Sequence, residues 1–95
     1  MDISTFLAAT RYMVATDFGV IGTEGLTHDS FNDACDAYSE RMDAGCNSRV
    51  FSIEFVDGKI TDITEEAALM IAKRCNDRYI DFPAWLDEAL DTRAA

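Results

Sequence analysis

The chain has 95 residues, with 18 Asp and Glu against 8 Lys and Arg, a net charge of −10 at pH 7 and a pI near 4.2. That length makes one domain, enough for a modest core without metal or disulfide, and the 48% hydrophobic fraction suits a folded chain. The sign of the charge disfavours direct binding to nucleic acid or to an anionic membrane, because phosphate recognition needs a cationic surface; it favours a basic protein partner through long-range attraction.

Phe6, Leu7, Met13, Val14 and Phe18 recur at helical spacing, with Asp2 or Ser4 to cap and Gly19 to stop. They predict a first helix over 4–18. The following Gly19–Gly25 stretch holds three glycines and reads as a loop. Thr27 to Ser30 offer caps for a second helix over 29–44, which stops at Gly45. From Arg49 to Val56 the pattern alternates, with Phe51, Ile53 and Phe55 on one face and Ser52 and Glu54 on the other. Asp57-Gly58 is a hairpin signal, and Lys59 to Ile63 supply the return strand. A two-stranded hairpin is marginal alone, so the Phe51/Ile53/Phe55 face is expected on the helices. The alternative is a free strand edge that pairs with a second chain.

A third helix is predicted over 65–77, with Glu65 and Glu66 at its positive end and Lys73, Arg74 and Arg78 near its far end. Asp81 and Pro83 begin a fourth, in which Phe82, Trp85, Leu86, Ala89 and Leu90 keep helical spacing. The expected fold is a single α+β domain over 1–95 in the order α-α-β-β-α-α: four helices packed with one antiparallel hairpin.

Five acids in the second helix stand out. Asp29, Asp33, Asp36, Glu40 and Asp43 are separated by steps of four, three, four and three. At about 100° per residue they lie within roughly 40° of one line. Phe31, Ala34, Cys35, Tyr38 and Met42 fall on the opposite side, so the helix has an apolar seam and a row of carboxylates about 20 Å long. Arg41 is the helix's only base and points between stripe and seam. Like charges at i,i+4 cost a few tenths of a kcal/mol each, and no local gain offsets them. Such a face is ordinarily only solvated. If Asp57, Asp62, Asp87 and Glu88 join it, the whole forms a broad acidic surface, expected either to imitate a nucleic-acid backbone in a Lys/Arg groove or only to keep the protein soluble. Tyr38 and Tyr79 are candidate aromatic anchors, with core packing as the plainer reading of both.

Catalysis finds no support. His28 is the only histidine, and Ser30 beside it reads as a helix cap rather than a nucleophile. Cys35 lies on the apolar seam, where a thiol is inert. Cys46 has only Arg49 near it, and Cys75 reads as a small core residue. The carboxylates lie in a line rather than around an ion, so no metal site is expected. The glycine stretch lacks phosphate-loop spacing, so no cofactor is expected. Met1-Asp2 opens without a basic leader, and no apolar run approaches about 18 residues. The sequence therefore reads as cytoplasmic and reduced.

Ala84-Trp85-Leu86-Asp87-Glu88-Ala89 is similar to the acidic WLD-type terminal helix of one type I anti-CRISPR family. More broadly, a small acidic chain with no catalytic constellation resembles phage-encoded anti-CRISPR proteins, several of which are DNA mimics. The resemblance covers about a dozen residues and carries over only Asp87 and Glu88. It implies a partner that is a bacterial CRISPR effector, bound at its cationic groove inside the host cell, and implies nothing about fold. The competing expectation is a small adaptor or homodimer that uses the hairpin edge or the Trp85 helix as interface.

Overall fold

In the computed structural model the described residues are 8–94, with side chains described as far as Leu90. Strand β1 (Thr10–Asp17) leads into β2 (Thr23–His28), helix α1 (Phe31–Asp43), β3 (Ser48–Glu54), β4 (Lys59–Asp62), and helices α2 (Thr64–Asp77) and α3 (Ala84–Ala94). The described fold is α+β, in the order β-β-α-β-β-α-α. The strands form one antiparallel sheet in the order β2-β1-β3-β4. Because β1 is antiparallel to both neighbours, β2 and β3 run parallel with β1 between them, and α1 makes the crossover.

This corrects the first half of the sequence reading. The predicted helix over 4–18 is strand β1 from Thr10 onward, and its residues 4–7 lie outside the described part. The predicted glycine loop holds only a short 3₁₀ turn, Gly19–Ile21, before β2 begins at Thr23. Thr10, Tyr12, Val14 and Thr16 are β-branched or aromatic and alternate with period two. That strand signal competes with the helical spacing of Met13, Val14 and Phe18, and sheet pairing on both sides of β1 decides between them. The Asp17 carboxylate accepts from the Gly19 N–H at 2.7 Å, and the Gly22 carbonyl accepts from Phe18 at 2.8 Å, closing the turn.

The inner face of the sheet is also the reverse of the one expected. Val14 pairs with Val50, and Thr16 with Ser48. Both valines belong to the buried core, while the Ser48 hydroxyl donates to Thr16 Oγ1 at 3.0 Å. Phe51 and Ile53 alternate onto the other face, opposite Met13 and Arg11 of β1 and Asp62 and Ile60 of β4, and Phe55 falls in the four-residue turn after β3. Small inner residues let α1 settle close to the sheet. Ala34, Cys35 and Tyr38 of α1 meet Val14 and Val50; Ala67, Ala68, Ile71 and Ala72 of α2 complete the cluster; Leu86 of α3 closes it. Tyr38 and Trp85 pack edge to face at 5.4 Å and 83°. Full burial of one side chain such as Leu86 stabilises by about 1.5–3 kcal/mol.

The later elements match the sequence reading closely. Ser30 caps α1, its hydroxyl accepting from the Asp33 N–H at 3.0 Å. The predicted seam holds: Ala34, Cys35 and Tyr38 are buried, and Phe31 and Met42 pack against the core. Helix α3 starts at Ala84, with the Pro83 carbonyl accepting from Leu86 N–H at 3.0 Å, so Asp81 stands upstream of the helix instead of capping it. No helix among the described residues is long and apolar enough to cross a membrane.

Candidate partner-binding surface

The five-acid stripe is one line in sequence but three environments in space. Asp29 precedes α1, is 80% exposed, and lies 3.5 Å from Arg11 Nη1, a side chain only 6% exposed. Asp33 sits in the first turn, where the helix dipole favours a carboxylate. Asp36 accepts from Arg74 Nη1 at 2.6 Å, and Arg74 Nη2 reaches Asn32 at 3.4 Å. The stripe therefore has a compensating base, supplied by α2 rather than by its own helix. Glu40 is exposed. Asp43 accepts from Trp85 Nε1 at 2.7 Å and ties α3 to α1. Arg41 leaves the stripe altogether: it bonds Glu24 of β2 at 3.2 Å and lies 5.2 Å over the Phe18 ring.

The remaining predicted acids divide between the two ends of the sheet. Asp57 is in the exposed turn that joins β3 to β4, at the same end as Asp29, because Tyr12 pairs with His28 and Thr10 with Glu54. Asp62 lies at the other end and is used within the fold. Its Oδ1 accepts from the Thr64 N–H at 2.9 Å and the Thr64 hydroxyl at 2.6 Å, and its Oδ2 accepts from Arg49 Nε at 2.7 Å. Burial acting alone would raise this carboxyl; the Thr64 hydroxyl, the Arg49 hydrogen bond, the Thr64 N–H and the Arg49 charge outweigh it and hold Asp62 below the ordinary range. Glu88 lines a recess of about 290 Å³ with Tyr38, Met42, Arg49, Glu65 and Trp85, and Asp87 is exposed on α3.

A second groove, of about 350 Å³, runs between α1 and the end of α2. Asp36, Glu40 and Asp43 form one wall; Arg74, Arg78 and Ile80 form the other. Sequence reasoning missed it, because the residues of its second wall are more than 30 positions from the stripe, and only helix packing brings them together. The end of α2 holds a further feature. Helix α1 closes with Gly45 at φ 82, where Gly45 N–H donates to Met42 at 3.0 Å and Cys46 N–H to Arg41 at 3.0 Å. Helix α2 closes in the same way, through Tyr79 to Asn76 at 3.2 Å and Ile80 to Cys75 at 2.9 Å, but with a tyrosine at φ 55 in the glycine position. Tyr38, the other candidate anchor, is buried.

The groups considered for chemistry are dispersed. Ser30 Oγ is engaged in the helix cap. His28 lies on β2 opposite Tyr12, half-buried, with Nε2 enclosed and without a hydrogen-bond partner among the described residues. Burial, modulated by Arg74 and then Asp36, pushes the Cys35 thiol up to about 11, far from a reactive thiolate at neutral pH. Cys46 and Cys75 are half-buried. Among the described residues no three His, Cys, Asp or Glu side chains are grouped to hold a metal ion. Compared with protein-family models, curated proteins and solved structures, the chain matches none.

Proposed function

We propose that this chain is a non-catalytic inhibitor that occupies a basic, nucleic-acid-binding surface of a partner, in the manner of an anti-CRISPR DNA mimic. The observation that carries the reading is the rigid mounting of α1. Its seam is locked by Ala34, Cys35 and Tyr38, each at most 1% exposed, while Asp33 and Glu40 stand in solvent. A carboxylate row on a fixed helix meets regularly spaced cations without ordering a polymer first, which lowers the entropic cost of binding. The net charge of −10 adds fast, salt-sensitive association. In this reading Asp57, at the same end of the sheet as Asp29, and the exposed Asp87 and Glu88 of α3 add negative charge to the surface that meets the partner. The partner class is a basic protein or nucleoprotein complex, with a CRISPR effector as the specific form that the Trp85–Ala89 resemblance suggests.

The test is charge reversal at Asp33 and Glu40, the two stripe acids with no side-chain partner among the described residues. Asp33→Lys together with Glu40→Lys leaves the Asp36–Arg74 and Asp43–Trp85 contacts in place. Tagged wild-type protein is expected to capture a nucleoprotein complex from bacterial lysate at low salt and release it at high salt, and the double variant to capture none. Equal capture by both proteins would sink the proposal.

A specific observation also favours self-association. Strand β4 is an edge of the sheet among the described residues, and it is exposed along its whole length, with Ile60 65% exposed and Val56 of the adjoining turn 75% exposed. An edge strand without a further strand beside it among the described residues is a pairing template. Light scattering that returns twice the 10.5 kDa chain mass would support a dimer formed there. The Trp85 ring is a weaker interface candidate, since it packs on Tyr38 and bonds Asp43 within the fold.

A further inference from the structure

We infer that the recess enclosed by α1, the start of β3, the start of α2 and α3 is a binding site for a free apolar α-amino acid. The site is separate from the carboxylate stripe, and it stands or falls independently of the inhibitor reading.

The first observation is an unused polar group. Tyr38 is only 1% exposed, and it lines this recess of about 290 Å³. Its ring packs edge to face on Trp85. Its hydroxyl makes no hydrogen bond among the described residues, yet it is not enclosed. A buried phenol ordinarily finds a partner; here the partner comes from the recess. Burial pushes the phenol above its ordinary value, with the Arg49 charge opposing and Asp62 and Cys35 adding to the rise. The group therefore stays a neutral O–H that can donate at neutral pH.

The second observation is that the recess carries both signs of charge. Arg49 brings a guanidinium whose Nε holds Asp62 at 2.7 Å, while its Nη groups make no hydrogen bond among the described residues. The first turn of α2 lines the same space, and Ile63 at its cap position gives no side-chain hydrogen bond. The positive end of the helix dipole thus adds to the guanidinium. Glu65 and Glu88 bring carboxylates to the recess, and a carboxylate can accept from several donors.

This combination selects the ligand. A simple anion meets the glutamates, and a simple cation meets Arg49. A zwitterion satisfies both, and an α-amino acid carries its two charges on one carbon. Its carboxylate suits Arg49 and the Tyr38 hydroxyl; its ammonium suits Glu65 and Glu88. Met42, Trp85 and Ala89 complete the lining and suit an apolar side chain. The volume lies near the lower end of ligand pockets, roughly 300 Å³, which admits one small molecule.

The experiment titrates the full chain with L-leucine to about 10 mM, enough to fill a millimolar site. Trp85, the only tryptophan and part of the lining, reports by its fluorescence. Leucine is expected to change the emission and saturate. Isocaproate and isoamylamine keep its skeleton with one charge each, and should bind at least about tenfold more weakly, the worth of one charged hydrogen bond. Tyr38→Phe is expected to weaken leucine about fivefold, the worth of one neutral hydrogen bond. Its urea midpoint without ligand should equal or exceed that of wild type, because no bond within the fold is lost. No response to leucine overturns the inference. Equal binding of either analogue overturns the amino-acid assignment. A Tyr38→Phe variant that binds leucine as wild type does, or that unfolds at lower urea, overturns the role of the hydroxyl and the site built on it.

Discussion

Asp62 is the residue at which a predicted surface acid proves to be a joint. Its carboxylate bridges the end of β4, the first residue of α2 and Arg49 of β3, and the Thr64 hydroxyl that it receives accepts in turn from the Val50 N–H at 2.9 Å. Asp62→Ala removes an acceptor comparable to an N-cap, costing about 0.5–2 kcal/mol. It also removes an ion pair whose side chains are 59% and 39% exposed, worth at most about 1 kcal/mol at such a surface. We expect a loss of about 1.5–2 kcal/mol at pH 7 from the two together, read by urea unfolding through the fluorescence of Trp85, the only tryptophan. Asp62→Asn keeps the oxygen facing Thr64 and loses the charge, so it should cost less than the alanine variant. The pH dependence has a definite sign. The folded carboxyl is held below its unfolded value, so its contribution is complete above the unfolded value of about 3.9 and disappears as pH falls through the folded one. The stability gap between wild type and Asp62→Asn must therefore narrow below about pH 4. An alanine variant within about 0.3 kcal/mol of wild type, or a gap constant down to acid pH, would refute the role assigned to this network.

Two further outcomes are expected. Cys35 should resist iodoacetamide in the native protein at pH 8 while Cys46 and Cys75 label, as peptide mass spectrometry would show; equal labelling of Cys35 would contradict its burial and raised thiol pKa. Asp43→Ala should free the Trp85 indole, shift its emission and cost about 1 kcal/mol for the lost charge-assisted bond. An unchanged spectrum would mean that α3 is held by packing alone.

How much was legible in the chain follows from how local each signal is. The seam of α1, the Ser30 cap, the hairpin after β3 and the extent of α2 depend on spacing within about one or two helical turns or one strand pair, and the residues named for them stand where expected, whereas Asp29 of the stripe falls just before the helix. Thr10–Asp17 supports two periodicities at once, and only pairing with β2 on one side and β3 on the other selects the strand. Alternation suggested that Phe51, Ile53 and Phe55 face the helices; the packing instead buries Val50 and Ser48, on the face that meets Tyr38.

The acidic surface divides in the same way. Composition alone determined its net sign, because charge sums without regard to fold. Which acids remain available was decided by tertiary structure. Arg74 reaches Asp36 across 38 positions, Trp85 reaches Asp43 across 42, and Arg49 and Thr64 engage Asp62. Asp33 and Glu40 are left to solvent, and Tyr79 is exposed at the end of α2. Helical periodicity places a carboxylate on a face, but only the packing of the other elements determines whether that face meets solvent or a neighbour.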